Sequence, residues 1–142
     1  MIKSFLKQFS TKKAVVIGDT PLVGRPTADI LQKLEFNVEL GYKDTKNLKD
    51  ITRTSDIVIV DIESPKYLDA DWIKEGAVII DAGMNVIDRS KRKKRIVGDV
   101  DFQSALKKVR HITPVPGGVG PLTIAMLVDN ILVAWGRNSP FL

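Results

Sequence analysis

Apolar positions along this chain follow two different periods. Ala14-Val15-Val16-Ile17, Ile57-Val58-Ile59-Val60 and Ala77-Val78-Ile79-Ile80 are unbroken apolar runs. Runs of this length bounded by Gly or Asp are expected of strands buried on both faces of a parallel sheet. Val38-Glu39-Leu40 reads as a shorter strand of the same kind. Between these runs the period lengthens to that of a helix, with Ile30, Leu31 and Leu34 inside Thr27–Leu34, and Leu48, Ile51 and Thr52 further on. Strands alternating with helical segments through short connections predict an α/β fold with a doubly wound parallel sheet.

The remaining pattern fills in the periphery. Val86-Ile87 and Ile96-Val97 predict a small hairpin. Asp101–Arg110 predicts a helix with acid at its start and Lys107, Lys108 and Arg110 at its end, as the helix dipole favours. A final helix is expected over Leu122–Trp135, stopped by Gly136. At the other terminus Ile2, Phe5, Leu6 and Phe9 fall on one helical face, which suits either a short helix packed on the core or a docking face. No internal repeat or low-complexity tract divides the chain, so one domain over residues 1–142 is expected.

Composition narrows the chemistry. The 142 residues include no cysteine and one histidine, His111. Disulfides, thiolate metal sites and cysteine nucleophiles are thereby excluded, and no metal site is expected. His111 is read as structural or solvent-facing. No uninterrupted apolar run reaches the roughly 18 residues of a membrane span, and residues 1–12 lack the apolar stretch of a secretory signal. A cytoplasmic domain without membrane attachment is expected.

The net charge of +5 is carried by one run, Lys91-Arg92-Lys93-Lys94-Arg95, without which the chain is neutral. No aromatic lies between Trp72 and Phe102, so the interleaving of basic and aromatic residues used by nucleic-acid binders is missing. The run reads as a solvated hairpin tip, and a nucleic-acid partner is not expected.

Two loops carry the candidate chemistry. Gly18-Asp19-Thr20-Pro21-Leu22-Val23-Gly24-Arg25-Pro26 follows the first strand, where a dinucleotide fold places its phosphate-binding turn. Its spacing is not G-x-G-x-x-G, since Thr20 stands at the second glycine position; on its own it suits a nucleotide site or a plain tight turn equally. Thr113-Pro114-Val115-Pro116-Gly117-Gly118-Val119-Gly120-Pro121 is more specific. Prolines stiffen it and glycines strip it of side chains, a combination suited to close approach of a flat ligand.

These segments resemble a known family in order along almost the whole chain. Ala14–Gly18 with Val23–Pro26, Thr45-Lys46-Asn47-Leu48, Trp72–Asp81, Val97–Phe102 and Thr113–Met126 are similar to the nucleotide-binding half of bifunctional methylenetetrahydrofolate dehydrogenase/cyclohydrolase. The resemblance implies a Rossmann-like domain that binds NAD or NADP. It places Gly18, Asp19, Thr20, Val23, Gly24, Lys43 and Met84 toward the cofactor. It places Pro116, Gly117, Gly118, Val119 and Gly120 toward the folate substrate. In this family an essential Tyr-x-x-x-Lys lysine belongs to a first, catalytic domain, so no catalytic residue is expected in this chain. Tyr42-Lys43-Asp44-Thr45-Lys46 has that spacing by coincidence, because it follows the second strand. Residues 1–10 resemble the end of the family's connecting helix. That face, together with Ile124, Leu127, Val128 and Ile131 of the final helix, would meet the first domain, a separate catalytic subunit or a second copy.

The cofactor side departs from the family pattern. Asp19-Thr20 stands where Arg-Ser is usual, Tyr42-Lys43 where His-Ser is usual, and Asp61-Ile62-Glu63 where an Ala-x-Gly turn is usual. Met84 is a mild change in a Gly-Ile-Asn element. Asp19 repels a 2′-phosphate and suits a ribose hydroxyl, so NAD is favoured over NADP and NADP binding is expected to be weak or lost. The competing expectation is a non-catalytic binding or interaction module that kept the fold and lost the NADP site.

Overall fold

The computed structural model describes residues 13–18, 20–88 and 95–138. The expected helix over residues 1–10, Asp19 and most of the basic run lie outside the described residues. In chain order the elements are β1 (Lys13–Ile17), α1 (Gly24–Lys33), β2 (Asn37–Gly41), α2 (Leu48–Thr54), β3 (Ile57–Val60) and a single 3-10 turn (Ala70–Trp72). They continue with β4 (Val78–Asp81), β5 (Asn85–Asp88), β6 (Arg95–Val97), α3 (Phe102–Ala105), β7 (His111–Ile112) and α4 (Val119–Asn138). Five strands form one parallel sheet in the order β2-β1-β3-β4-β7, and β5 pairs antiparallel with β6 as a separate hairpin.

The unbroken apolar runs are buried on both faces. Val15, Ile17, Val58, Val60 and Ile79 point to one side, packed against Leu48 of α2, Leu68, Ile73, Val100 and Ala105 of α3. Ala14, Val16, Ile57, Ile59 and Val78 point to the other, against Ala28 of α1 and Phe36. Side chains alternate along a strand, so each four-residue run feeds two cores, and the doubly wound expectation holds. Asp56 closes the amino ends of the central strands. It accepts from the Lys13 backbone N–H at 3.2 Å and pairs with the Lys74 ammonium at 2.6 Å.

Several boundaries differ from expectation. α1 starts at Gly24, one turn before Thr27, and Ile30 is exposed while Ala28 takes the inward position. The helix expected over Asp101–Arg110 stops at Ala105. There the chain is drawn back to the sheet, with Gly76 donating its N–H to the Lys108 carbonyl and Arg110 donating to the Ala77 carbonyl, at 2.8 and 2.9 Å. These bonds deliver His111 and Ile112 into β7 beside β4, a strand the pattern did not mark. His111 is exposed there.

The last helix is longer than expected, because Gly136 does not stop it and Val119–Pro121 form its first turn. Proline at such a position removes only an N–H that has no helical partner. α4 is exposed along most of its length, with Ile124 63%, Leu127 55%, Ile131 59% and Trp135 66% exposed. By length and mean hydropathy alone, Val119–Gly136 is a helical segment long and apolar enough to cross a membrane, although it is no uninterrupted apolar run, since Asp129 and Asn130 lie within it. In the hairpin, Arg95 lies within β6 and is the one member of the basic run that is described.

Candidate dinucleotide site

In an open α/β sheet a ligand cleft forms beyond the carboxyl ends of the strands where the strand order reverses. Here that point lies between β1 and β3, since β2 and β3 flank β1. Gly18, Thr20, Tyr42, Lys43, Asp61, Ile62 and Glu63 line a cleft of about 430 Å³ at this point. Each follows directly from the end of β1, β2 or β3. Gly18 adopts φ +121°, and a Cβ there would overlap the Asp61 carbonyl, so the close crossing of β1 and the β3 loop requires glycine.

The turn between β1 and α1 is organised by Thr20. Its hydroxyl donates to Asp61 Oδ2 at 2.8 Å and accepts the Val23 N–H at 3.1 Å. The Gly24 N–H meets the Thr20 carbonyl at 3.0 Å. Two of the donors at the opening of the helix, where an anion is attracted, the Val23 and Gly24 N–H groups, are therefore engaged by Thr20, with a carboxylate directly behind it. Of the residues expected on the cofactor side, Gly18, Thr20 and Lys43 share the cleft, and Val23 and Gly24 open α1 beside it. Met84 stands apart after β4, 71% exposed, and Asp19 is outside the described residues. On the folate side, Pro116, Gly117 and Gly118 form the loop, while Val119 and Gly120 belong to α4. Val119 lines a separate apolar groove of about 410 Å³ with Leu122, Met126 and Leu127.

The sequence pattern missed two buried acids that hold these loops. Asp81 is 3% exposed and Asp99 is fully buried. Asp81 Oδ1 accepts the N–H groups of Gly83 and Asp99 at 3.0 and 3.1 Å, and Oδ2 accepts that of Val100 at 2.9 Å. The Asp81 N–H in turn reaches the Thr113 hydroxyl at 2.8 Å, at the start of the Pro-Gly loop. Asp99 accepts the Ile62 and Ser64 N–H groups, both at 2.7 Å, and the Asn85 amide at 2.8 Å. Burial raises the Asp81 carboxyl above its ordinary range; the three backbone donors oppose this shift, and the neighbouring Asp99 charge adds to it. Gly83 and Gly98 leave the room these carboxylates occupy, since a Cβ on either would overlap Asp99 or Asp81. The visible signal was an Asp beside a Gly, in Asp81-Ala82-Gly83 and Gly98-Asp99.

Glu63 completes the picture of the cleft. It sits at φ +51°, in the left-handed region that costs a residue with a Cβ roughly 1–2 kcal/mol. This is a position at which the resemblance leads one to expect glycine. Beyond Ser64 the chain is tied back by the Lys66 N–H donating to the Gly98 carbonyl and the Leu68 N–H to the Asp99 carbonyl, each at 3.0 Å.

A parallel sheet wound on both sides, with a glycine turn and a cleft at the reversal of strand order, defines a dinucleotide-binding domain. Residues 1–139 match the family model described as tetrahydrofolate dehydrogenase/cyclohydrolase, NAD(P)-binding domain, and the chain belongs to that family. It is 51% identical to Bifunctional protein FolD 2 of Ectopseudomonas mendocina, over 91% of this chain and 42% of that protein. It is 48% identical to the mitochondrial C-1-tetrahydrofolate synthase of Saccharomyces cerevisiae, over 89% of this chain and 13% of that one. Among solved structures, the Trypanosoma brucei methylenetetrahydrofolate dehydrogenase-cyclohydrolase complexed with NADP and an inhibitor superposes with a TM-score of 0.85 at 38% identity, covering 96% of this chain and 48% of that chain. The Campylobacter jejuni enzyme gives 0.83 at 39% identity, over 97% and 49%. The chain thus spans less than half the length of these relatives.

Proposed function

We propose that this chain forms the cofactor half of a methylenetetrahydrofolate dehydrogenase/cyclohydrolase, taking up a dinucleotide in the cleft at the ends of β1, β2 and β3. The observation that carries this reading is the convergence of Gly18, Thr20 and Lys43 on one cleft at the strand-order reversal. In this reading Met84 lies at the nicotinamide end, and Pro116–Gly120 meets the folate. Hydride transfer requires a second domain, tethered, supplied by a separate subunit or contributed by a second copy. The exposure of α4 is consistent with a face made for such a neighbour.

NAD is the cofactor we assign in preference to NADP. Asp61 and Glu63 line the cleft against a single cation, Lys43, and Asp19 adds a further acid in the sequence. A 2′-phosphate entering this rim meets like charge, whereas ribose hydroxyls find acceptors. Calorimetric titration of both dinucleotides tests the assignment. Tighter binding of NAD supports it, and tighter binding of NADP overturns it. Dehydrogenase turnover from the chain alone would refute the need for a second domain.

The engagement of the Val23 N–H by Thr20, backed by Asp61, favours a second reading: a binding module that has lost its nucleotide. Absence of heat with both dinucleotides at millimolar concentration would select it.

A further inference from the structure

We infer that Asp99 is a positioning residue that sets dinucleotide specificity by holding Glu63 at the cleft rim; the inference rests on the cleft being a dinucleotide site. Asp99 is not among the residues that line the cleft. Its two carboxylate oxygens instead take the N–H groups on either side of Glu63, those of Ile62 and Ser64, at 2.7 Å each. A carboxylate gripping residues i and i+2 fixes the residue between them, and that residue lies at φ +51°. A left-handed glutamate persists only where its surroundings over-determine it. Here the fixing group is fully buried, charge-assisted and anchored, because the Asp99 N–H is held by Asp81. Asn85 restrains the same carboxylate from the hairpin side at 2.8 Å.

The consequence is electrostatic. Glu63 and Asp61 line the cleft together with Lys43, the one cation among its lining residues. In this proposal the held loop keeps the glutamate charge at the cleft lining beside Asp61 and Lys43, where it opposes a second phosphate on the ribose. With the loop released, the charge is free to move off into solvent, and the discrimination fades. Asp99→Asn releases it, because an amide keeps one acceptor and turns an N–H donor toward one of the two backbone donors.

The test measures Kd for NAD and for NADP in the parent, Asp99→Asn, Glu63→Gly and the double variant. In the parent we expect NAD to bind about tenfold tighter than NADP, the scale of one like-charge pair at an exposed rim. Asp99→Asn is expected to bring the ratio to within about threefold of unity, and Glu63→Gly to do the same. In the Glu63→Gly background, Asp99→Asn should leave the ratio where it is, since Asp99 acts through Glu63. A purely structural role would weaken both dinucleotides alike and leave the ratio unchanged, which would overturn the inference. An equal change in the ratio in both backgrounds would also overturn it.

Failure of the parent to bind either dinucleotide would instead remove the reading of the cleft on which this rests. Should Asp99→Asn not fold, amide exchange in the parent decides. Ile62 and Ser64 amides protected as strongly as those of β3 support the clamp, and exchange at exposed-loop rates overturns it.

Discussion

Asp81 accepts the backbone N–H of Asp99 at 3.1 Å, so two buried acids are linked through main chain. One holds the hairpin and, through its own N–H, the Thr113 hydroxyl. The other holds the loop after β3. The loop after β3 that lines the cleft and the start of the Pro-Gly loop therefore share a single polar anchor. Buried carboxylates this well satisfied are costly to disturb, because each lost partner leaves an unpaired group in a medium of low dielectric.

The glycines facing this anchor are the first place to test it. Gly98→Ala puts a methyl group into the Asp81 carboxylate, and the expected loss is about 1–3 kcal/mol, as for other overpacked interiors. Gly120→Ala, on an open helical turn with nothing near its Cβ, is the matched comparison and should gain roughly 0.5–1 kcal/mol. Urea unfolding of both variants checks the contrast; equal effects would contradict the crowding at Gly98.

The raised Asp81 carboxyl gives a signed pH dependence. The folded state retains this proton at pH values where the unfolded chain has already released it. Unfolding then releases a proton, and the Asp81 contribution to stability falls as pH rises from the ordinary carboxylate range to the raised value. Asp81→Asn removes the titration while leaving other carboxylates in place. The stability gap between parent and variant should narrow with rising pH across that window, followed by denaturant melts at successive pH values. A gap that widens would reverse the sign.

Glu63→Gly relieves the left-handed backbone but gives the unfolded chain more freedom. Relief of roughly 1–2 kcal/mol against an entropic cost of about 0.4–1 kcal/mol predicts a net gain on the order of 0.5 kcal/mol. Thermal unfolding should therefore shift upward, and a downward shift would mean that the glutamate side chain contributes stabilising contacts of its own.

Exposed α4 residues should be nearly silent for folding, unlike strand residues of the same type. Ile131→Glu is expected within about 0.5 kcal/mol of the parent, whereas Ile59→Ala should lose roughly 2–5 kcal/mol. If α4 serves a partner or a second copy, sedimentation should show association that Leu127→Glu with Ile131→Glu abolishes.

The central strands were legible because they are apolar almost throughout, a consequence of burial on both faces that leaves a local trace in Ile57–Val60. The cofactor turn was legible in part, since Gly18 and Thr20 mark it, yet its shape is set by Asp61 from another strand. The Asp101–Arg110 helix was misjudged because charge placement favours ten helical residues while the Gly76 and Arg110 bonds pull the chain onto β4. Asp81 and Asp99 were hidden because their partners lie up to 37 residues away and are mostly main-chain N–H groups, which carry no residue signature.

The shortness of β7 has its own consequence. Only His111 and Ile112 extend the sheet on that side, and Pro114 and Pro116 follow with no N–H to offer. An incoming strand from another molecule finds little ladder to join there and no donors beyond it. The same prolines that stiffen the Pro-Gly loop thus leave the sheet a poor template for intermolecular β-pairing at this edge.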